Sequence, residues 1–277
     1  MRDLARRHGV RPRKELGQHF LVEPTLARRI VELARVGPGD RVVEVGAGLG
    51  SLTVALAEAG AEVVAVEVDP ALLPPLREVT EGLSVRVVQA DATTVDWGEV
   101  LRGGPPWTLV ANLPYNVAVP VLLRLLEEEP RVERMLVMVQ REVGERLVAA
   151  PGDEQYGAVS LRVAYRCVGR IVRRVPRTAF WPEPNVDSVL VWLERRPPPV
   201  DVDERALWEV VREAFAQRRK TMRNALVRLG FDPREAEEAL RACGLHPRSR
   251  PEELGLEAFA CLAGRWLAVR AGGRVPA

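Results

Sequence analysis

The chain has 277 residues, of which 47% are hydrophobic, enough to bury a sizeable core in one large domain or two smaller ones. Forty basic residues against 38 acidic ones leave a formal net charge of only +2. No apolar run reaches the roughly 18 residues of a membrane span, and none follows the N-terminal arginines, so we expect neither a membrane protein nor a secretory signal.

The cysteines argue against two further classes of protein. Cys167, Cys243 and Cys261 are odd in number, far apart and never in C-x-x-C spacing. We therefore expect no disulfide framework and no metal site. A cytoplasmic location fits this expectation, because the cytosol keeps thiols reduced.

The basic residues are clustered, although the net charge is small. Lysine occurs only at Lys14 and Lys220, so almost all of the basic residues are arginines. The clusters are residues 1–14; Arg170, Arg173, Arg174 and Arg177; and Arg218, Arg219, Lys220 and Arg223. Separated basic patches on a nearly neutral chain indicate a surface that binds a polyanion, and solvated loops and helix faces are the alternative.

Apolar strands alternate with helices through the first part of the chain. The predicted strands are 41–46, 62–68, 84–89, 108–113 and 134–140, and helices are predicted at 49–59, from Pro70 and from Arg141. This alternation predicts an α/β domain with a parallel sheet covered on both faces. Two later strands, 158–168 and 188–194, look antiparallel.

The last third of the chain has a different pattern. Three prolines at 197–199 break regular structure and are the best candidate for a linker. Beyond them the pattern is wholly helical, with helices predicted at 204–216, 218–229, 233–242 and 255–269. We therefore predict a catalytic α/β domain over residues 1–196 and a small all-helical domain over residues 197–277.

A glycine-rich turn follows the first predicted strand. Gly46, Gly48 and Gly50 let the backbone turn tightly and approach a ligand closely. The dinucleotide fingerprint needs glycine or alanine at position 51, where Ser51 stands, whereas G-x-G-x-G is the spacing of S-adenosylmethionine enzymes. A generic tight turn is the alternative.

Acidic residues follow the next two strands. Glu67 ends the second strand, where a carboxylate can accept both ribose hydroxyls of an adenosine cofactor. Asp91 follows the third strand and can accept the adenine exocyclic amine. Because ligands bind at the carboxyl ends of such strands, we expect both near the glycine turn. A turn or helix cap is the alternative for Asp91.

The most specific signal is Asn112-Leu113-Pro114-Tyr115, at the end of the fourth strand. An amine on an aromatic ring is a poor nucleophile because its lone pair is delocalised. The asparagine carbonyl and a backbone carbonyl can accept both N–H bonds of that amine and localise the lone pair. The proline fixes the neighbouring carbonyls outward, and the tyrosine offers a face on which a base stacks.

With these motifs the chain resembles the rRNA adenine dimethyltransferases. Further matching stretches are Leu16–Leu21, Val139–Val143, Phe180–Ser188 and Glu213–Thr221, so the resemblance covers nearly the whole chain. It implies a Rossmann-like S-adenosylmethionine methyltransferase sheet with a helical C-terminal domain. The small-subunit members are most similar, and the large-subunit resistance methylases share chiefly the first domain.

The resemblance also implies roles for individual residues. Cofactor contacts fall on His19, Leu21, Gly46, Gly48, Glu67, Asp91 and Asn112. The catalytic residues implied are Asn112, Leu113, Pro114, Tyr115 and Phe180, with Phe180 closing over the flipped base opposite Tyr115. The family usually has asparagine where His19 stands. The predicted RNA-binding residues are Arg13, Lys14, Arg218, Arg219, Lys220 and Arg223.

The activity implied is dimethylation, with S-adenosyl-L-methionine, of the N6 amines of two adjacent adenosines near the 3′ end of 16S rRNA. The partner is 16S rRNA in the small ribosomal subunit or its precursor, and a monomer is expected. Three alternatives stay open: an NAD-binding oxidoreductase, a non-catalytic ribosome assembly factor, and a methylase of 23S rRNA.

Overall fold

The computed structural model describes residues 1–104, 106–217 and 220–271, which form two compact units. The sheet unit comprises Met1–Glu145 and Val168–Arg195. The helical unit comprises Arg146–Cys167 and the chain from Arg196 onward. The observed division differs from the predicted boundary at 196/197 in one segment: residues 146–167 belong to the helical unit and not to the sheet unit. Among the described helices, none is long and apolar enough to cross a membrane.

Nine strands lie in the described part of the chain. They are β1 (Phe20–Leu21), β2 (Arg41–Val45), β3 (Glu62–Glu67), β4 (Val85–Gln89), β5 (Trp107–Asn112), β6 (Val132–Gln140), β7 (Cys167–Val175), β8 (Phe180–Trp181) and β9 (Ser188–Arg195).

Twelve α-helices lie in the same described ranges. They are α1 (Arg2–Arg7), α2 (Pro24–Ala34), α3 (Ser51–Glu58), α4 (Leu73–Val79), α5 (Trp97–Val100), α6 (Ala118–Glu128), α7 (Arg141–Val148), α8 (Ala158–Arg166), α9 (Glu204–Phe215), α10 (Met222–Arg228), α11 (Pro233–Ala242) and α12 (Leu256–Arg270).

The main sheet has seven strands in the order β4-β3-β2-β5-β6-β9-β7. The pairs within β4-β3-β2-β5-β6 are parallel, and β9 pairs antiparallel with β6. The strand order reverses between β2 and β5, which are neighbours although not consecutive. In such sheets the crevice at the reversal, outside the carboxyl ends of the strands, is where ligands bind. We call that side of the sheet the carboxyl edge.

The apolar runs of the sequence become the buried strands. Val42, Val43, Leu109 and Val137 are each completely buried, as expected for strands covered on both faces. Helices α2 and α3 pack together against the sheet through an apolar cluster that includes Ile30. The α/β prediction is confirmed, and the sheet supplies a rigid frame for the carboxyl edge.

The predicted strand at 158–168 is wrong, because Ala158–Arg166 is the helix α8 and only Cys167 begins a strand. The Ser160 hydroxyl accepts the backbone N–H of Gly157 at 3.1 Å and caps the helix start. Leu161 and Tyr165 lie four residues apart on one helix face and are buried in the core of the helical unit. The predicted strand at 188–194 is confirmed as β9.

The helical unit is held by an apolar core and one covalent link. Met222 and Leu226 of α10 are fully buried in that core, as their helical spacing predicts. Within the described residues α10 begins at Met222, and the predicted start at residue 218 lies outside them. Cys243, directly after α11, forms a disulfide with Cys261 of α12, with a Cα–Cα distance of 5.8 Å.

This bond contradicts the expectation that the chain has no disulfide framework. The two residues are 18 positions apart, and that separation in sequence gives no sign of pairing. Packing of α11 against α12 brings their Cα atoms within the range that a disulfide spans. The remaining cysteine, Cys167, is buried and forms no disulfide.

Candidate active site

A pocket opens at the carboxyl edge, within the sheet unit. Its floor is formed by the ends of β2, β3 and β5, and residues 16–21 of the N-terminal segment form one wall. The cavity measures about 1070 Å³ when the part open to solvent is included. The pocket lies where open α/β sheets bind their ligands, outside the carboxyl ends of the strands.

The glycine turn after β2 allows close contact with two other segments. Gly46 has φ 74°, and a Cβ atom there would lie 3.1 Å from the ring of Pro114. Gly48 has φ 59°, and its Cβ would lie 3.0 Å from the ring of Phe20. Side chains at these positions would be strained and would crowd the pocket, so glycine is required at both.

Glu67 is held in place by the backbone around it. Its Oε2 accepts the N–H of Gly48 at 2.8 Å, and its Oε1 accepts the N–H groups of Val68 and Asp69 at 3.0 and 2.9 Å. Burial nevertheless raises the pKa of Glu67 above its usual value. A carboxylate has about four acceptor sites, so about one is left for a ligand hydroxyl.

Asp91 lies in the pocket wall after β4, as the sequence predicts. The backbone N–H and hydroxyl of Thr93 both donate to its Oδ1, at 2.8 and 2.6 Å, and these bonds lower the pKa of Asp91. In the described part of the chain its Oδ2 accepts no hydrogen bond. Asp91 is therefore both a turn residue and a fixed, ionised acceptor facing the pocket.

Asn112 has one satisfied and one unsatisfied polar group. Its Nδ2 donates to the backbone carbonyl of His19 at 2.9 Å. Its Oδ1 is buried and has no hydrogen-bond partner among the described residues. A buried acceptor without a partner costs about 1–3 kcal/mol, so this atom stands ready for a donor from a ligand.

The residues after Asn112 supply a second acceptor. Leu113 donates its N–H to the carbonyl of Met138 at 3.1 Å, and Pro114 accepts the N–H of Val117 at 3.1 Å. Within the described ranges the Leu113 carbonyl accepts no hydrogen bond. Asn112 Oδ1 and the Leu113 carbonyl therefore form a pair of free acceptors at the end of β5.

Tyr115 is fixed at both ends. Its hydroxyl lies 2.6 Å from the hydroxyl of Ser188, the first residue of β9. Its ring stacks on the ring of His19, with 5.2 Å between the centroids. The Nδ1–H of His19 donates to the carbonyl of Pro182 at 2.7 Å, so the imidazole is fixed as well. Burial raises the pKa of Tyr115 above its usual value.

The N-terminal segment is tied to the pocket by contacts that motif reasoning does not identify. Gln18 donates to the buried carboxylate of Asp69 at 2.8 Å and accepts the N–H of Arg13 at 2.8 Å. Asn116 donates to the carbonyl of Glu15 at 3.0 Å. Leu21 is buried at the pocket wall, as predicted.

Glu44 is a second residue that sequence reasoning misses, although it opens the E-x-G-x-G motif. Its side chain is 2% exposed and lines the pocket. The hydroxyl of Thr53 donates to its Oε2 at 2.5 Å. Burial raises the pKa of Glu44 to about 8, and the nearby Glu67 adds to the shift. Glu44 is therefore largely protonated at neutral pH.

The structure does not place Phe180 in the pocket. The prediction puts its ring over a base opposite Tyr115, but Phe180 is 1% exposed and packs in the sheet core with Ala179 and Leu190. Phe180 pairs with Leu21 where β8 meets β1. This pairing turns the ring inward, because an aromatic side chain is more stable in that apolar cluster than in solvent.

The predicted RNA-binding residues have different surroundings. Arg13 lies 3.4 Å from Asp69 and is half exposed, and Lys220 is exposed. Arg223 is paired with Glu237 at 2.9 Å, so it is not free as the helix pattern suggests. Arg218, Arg219 and the side chain of Lys14 lie outside what the structure describes. Their roles in RNA binding stay predictions.

The pocket fits the adenosine cofactor that the motifs imply. The glycine turn lets a ligand approach the backbone, Glu67 and Asp91 offer acceptors for ribose and adenine, and Asn112 Oδ1 remains for an incoming amine. A parallel sheet with this pocket at its carboxyl edge, followed by the Asn112–Tyr115 sequence, defines an S-adenosylmethionine-dependent methyltransferase.

Comparison with known proteins defines the family. The chain belongs to the ribosomal RNA adenine dimethylases, whose sequence model matches residues 9–255. It is 50% identical over 270 residues to ribosomal RNA small subunit methyltransferase A of Thermobifida fusca, covering 95% of this chain and 93% of the relative. The protein of the same name from Moorella thermoacetica is 44% identical over 271 residues, with 94% of each chain covered.

Two solved structures are similar over most of the chain. A dimethyladenosine transferase from Plasmodium falciparum has a TM-score of 0.76 at 24% identity and covers 93% of this chain and 100% of its own; it supports the fold. The 23S rRNA methyltransferase ErmE has a TM-score of 0.65 at 28% identity and covers 89% and 99% of the two chains.

Proposed function

We propose that this protein transfers methyl groups to the N6 amines of two adjacent adenosines near the 3′ end of 16S rRNA, giving N6,N6-dimethyladenosine. The identity of 50% to a small-subunit methyltransferase supports the choice of substrate. The structural observation that carries the chemistry is the buried Oδ1 of Asn112, which no described residue pairs.

The two free acceptors at the end of β5 match the two N–H groups of an adenine amine. When Asn112 Oδ1 and the Leu113 carbonyl each accept one N–H, the nitrogen lone pair is held out of conjugation with the ring and becomes nucleophilic. Because the Nδ2 of Asn112 is bonded to His19, the amide cannot turn its nitrogen toward the amine. The acceptors are thus positioned before the substrate binds.

The cofactor, S-adenosylmethionine, supplies a methyl group bonded to a positively charged sulfur. Glu67 and Asp91 would hold its ribose and adenine, so that the methyl carbon would lie in line with the N6 lone pair. Transfer would form the N–C bond, leave the C–S bonding electrons on sulfur and release one N6 proton. The protein contributes orientation and the exclusion of water from the amine, and it needs no covalent nucleophile.

The target adenosine must leave its stack to reach the pocket, at a cost of a few kcal/mol. Stacking on Tyr115 offsets part of that cost. Its hydroxyl contact with Ser188 and the ring of His19 keep Tyr115 in place. The second methylation needs space for a monomethylated amine, which the open pocket provides.

We also propose that a single copy of the chain acts in the cytoplasm on the small subunit or its precursor. The C-terminal basic cluster, with Arg13 and Lys14, is proposed to hold rRNA phosphates, which position RNA without reading its sequence.

The decisive experiment is mapping of the modified nucleotides. Small subunits that lack the dimethyladenosines are incubated with the protein and the methyl donor, and the rRNA is analysed by nuclease digestion and mass spectrometry. Two adjacent dimethylated adenosines near the 3′ end of 16S rRNA are expected.

Each alternative predicts a different outcome, either in this assay or in a binding measurement on the same protein. Methylation of 23S rRNA would mean a large-subunit methylase. Binding to the small subunit without methyl transfer would mean an assembly factor. Thermal stabilisation by NAD but not by the methyl donor would mean an oxidoreductase. Any of these results would refute the proposed function.

A further inference from the structure

Three arginines on β7 are exposed and have no counter-ion within the described chain. Arg170, Arg173 and Arg174 are exposed, and no hydrogen bond or ion pair of their side chains occurs among the described residues. Arg177, which the sequence places in the same cluster, differs because it pairs with Glu183 at 2.8 Å. We call Arg170, Arg173 and Arg174 the β7 arginines.

The backbone beneath the β7 arginines is fixed. Val175, at the end of the strand, is buried, and Val172 packs against the same apolar cluster. β7 is the last strand of the sheet, so one of its sides has no neighbouring strand among the described residues. Arg170 and Arg174 are therefore presented along a rigid edge, ~13 Å apart at about 3.3 Å per residue.

The end of β7 lies at the carboxyl edge, with β6 and β9 between it and the end of β5. The carboxylate of Asp187 accepts the N–H of Arg177 at 3.1 Å, just after β7. The carbonyl of Asp187 accepts the N–H of Arg141 at 3.0 Å, just after β6. The next residue, Ser188, contacts the Tyr115 hydroxyl at 2.6 Å. Asp187 and Ser188 thus connect the end of β7 to the base-stacking residue.

We propose that the β7 arginines bind the phosphate backbone of the substrate rRNA in the segment that flanks the target adenosines. This inference rests on the proposed function and adds a surface on the sheet unit to the basic cluster predicted for the helical unit. An RNA whose adenosine enters the pocket must continue past the carboxyl edge, where Arg173 and Arg174 lie. Exposed guanidinium groups that no described carboxylate pairs complement that phosphate chain.

Two alternative roles account less well for the β7 arginines. Charges on an edge strand discourage pairing with other strands, but that purpose does not require arginine or its position toward the pocket. An acidic protein surface could also pair with guanidinium groups. The contacts that connect the end of β7 to Tyr115 favour the nucleic acid, because an RNA bound at Tyr115 continues along the same edge of the sheet.

The test compares two triple variants of the full chain with equal changes in charge. One is R170Q/R173Q/R174Q. The matched control is R28Q/R77Q/R102Q. These three arginines are also exposed, and their side chains form no hydrogen bond or ion pair in the described ranges. They lie on α2, in the last turn of α4 and between α5 and β5. The probes are a transcribed RNA hairpin with two adjacent loop adenosines and unmethylated small subunits.

Both probes are expected to bind the β7 variant at least about tenfold more weakly than the wild type at 0.1 M salt. The slope of log affinity against log salt should be shallower than that of the wild type by about 2 to 3 units. The control should bind within about threefold of the wild type. Affinity for the methyl donor, measured by calorimetry, should be the same for all three proteins. Gel filtration and thermal melting verify that each variant is folded and not aggregated.

The outcomes separate this inference from the proposed function. If the wild type methylates the hairpin or the subunit but the β7 variant binds both with an unchanged salt slope, the inference is wrong. If the β7 variant loses affinity for the subunit only, the arginines bind a protein of the particle, and the inference is also wrong. If the wild type transfers no methyl group to any rRNA, the proposed function fails, whatever the variants do.

Discussion

The pocket has two sides that are built in opposite ways. On the cofactor side, formed by the ends of β2, β3 and β4, the polar groups are already engaged: Glu67 accepts three backbone N–H groups and Asp91 accepts two bonds from Thr93. On the amine side, at the end of β5, the Oδ1 of Asn112 and the carbonyl of Leu113 have no partner in the described chain.

This difference separates binding from chemistry. Groups whose geometry is fixed by the protein's own hydrogen bonds form a site that binds a ligand without rearranging. Acceptors left unpaired gain their full interaction only when the amine arrives, so they favour the reacting state over the resting one. Variants on the cofactor side should therefore change affinity, and variants on the amine side should change rate.

The largest effect on affinity is expected for Glu67→Ala. The Glu67 carboxylate has about one acceptor site left for the ribose. Loss of that charge-assisted hydrogen bond, about 1.5–3 kcal/mol, should raise the Kd for S-adenosylmethionine about 10- to 150-fold. Calorimetry measures this change, and affinity for RNA should stay the same. An unchanged Kd in a folded Glu67→Ala protein would remove Glu67 from the cofactor site.

Tyr115 should show an intermediate effect that depends on its ring. Tyr115→Ala removes a stacking surface worth about 1–3 kcal/mol, so capture of the flipped base should weaken about 5- to 150-fold and turnover should fall with it. Tyr115→Phe loses only the contact with Ser188 and should stay close to the wild type. A fluorescent base analogue at the target position reports the capture. Equal losses in the two variants would mean that the hydroxyl, and not the ring, is important.

A separate prediction concerns stability rather than binding, through the titration of Glu44. The pKa of Glu44 is about 8 in the folded protein, against an ordinary value of 4.5. At a pH between these two values the folded protein holds a proton on Glu44, whereas the unfolded chain has released it. The free energy of unfolding should therefore fall as the pH rises through this window, by at most about 1.4 kcal/mol per pH unit from this group. Urea unfolding measures the effect from pH 5 to pH 8.

Glu44→Gln is the matched control for this effect, because it keeps the shape and removes the titration. The difference in stability between the variant and the wild type should grow with pH up to about 8 and then level off. A constant difference across the range would contradict a raised pKa for Glu44.

The sequence predicts those parts of the molecule in which one local pattern determines the structure. The strands β2, β3 and β5 are continuous apolar runs, and the motifs after them mark the pocket because parallel strands end at a common edge. Helix α8 is mistaken for a strand because its short segment alternates as a strand does, and only the packing of Leu161 and Tyr165 in the helical unit decides between the two.

Contacts between distant segments are beyond such reasoning. The pairing of Cys243 with Cys261 depends on how two helices pack, and the burial of Phe180 depends on the pairing of β8 with β1. The partner of Arg223, Glu237, lies 14 residues away on another helix. None of these contacts leaves a periodic or spaced signal in the sequence.

The most direct test of the central claim is the single-turnover rate of Asn112→Ala with saturating RNA and methyl donor. Loss of one preorganised acceptor should reduce the rate about 10²–10³-fold, while the Kd for RNA stays within about threefold of the wild type. Asn116→Ala is the matched control, because Asn116 lines the same pocket but is exposed and donates its hydrogen bond to the carbonyl of Glu15. The rate of this variant should stay within about tenfold of the wild-type rate. A rate for Asn112→Ala close to that of the wild type would contradict the account.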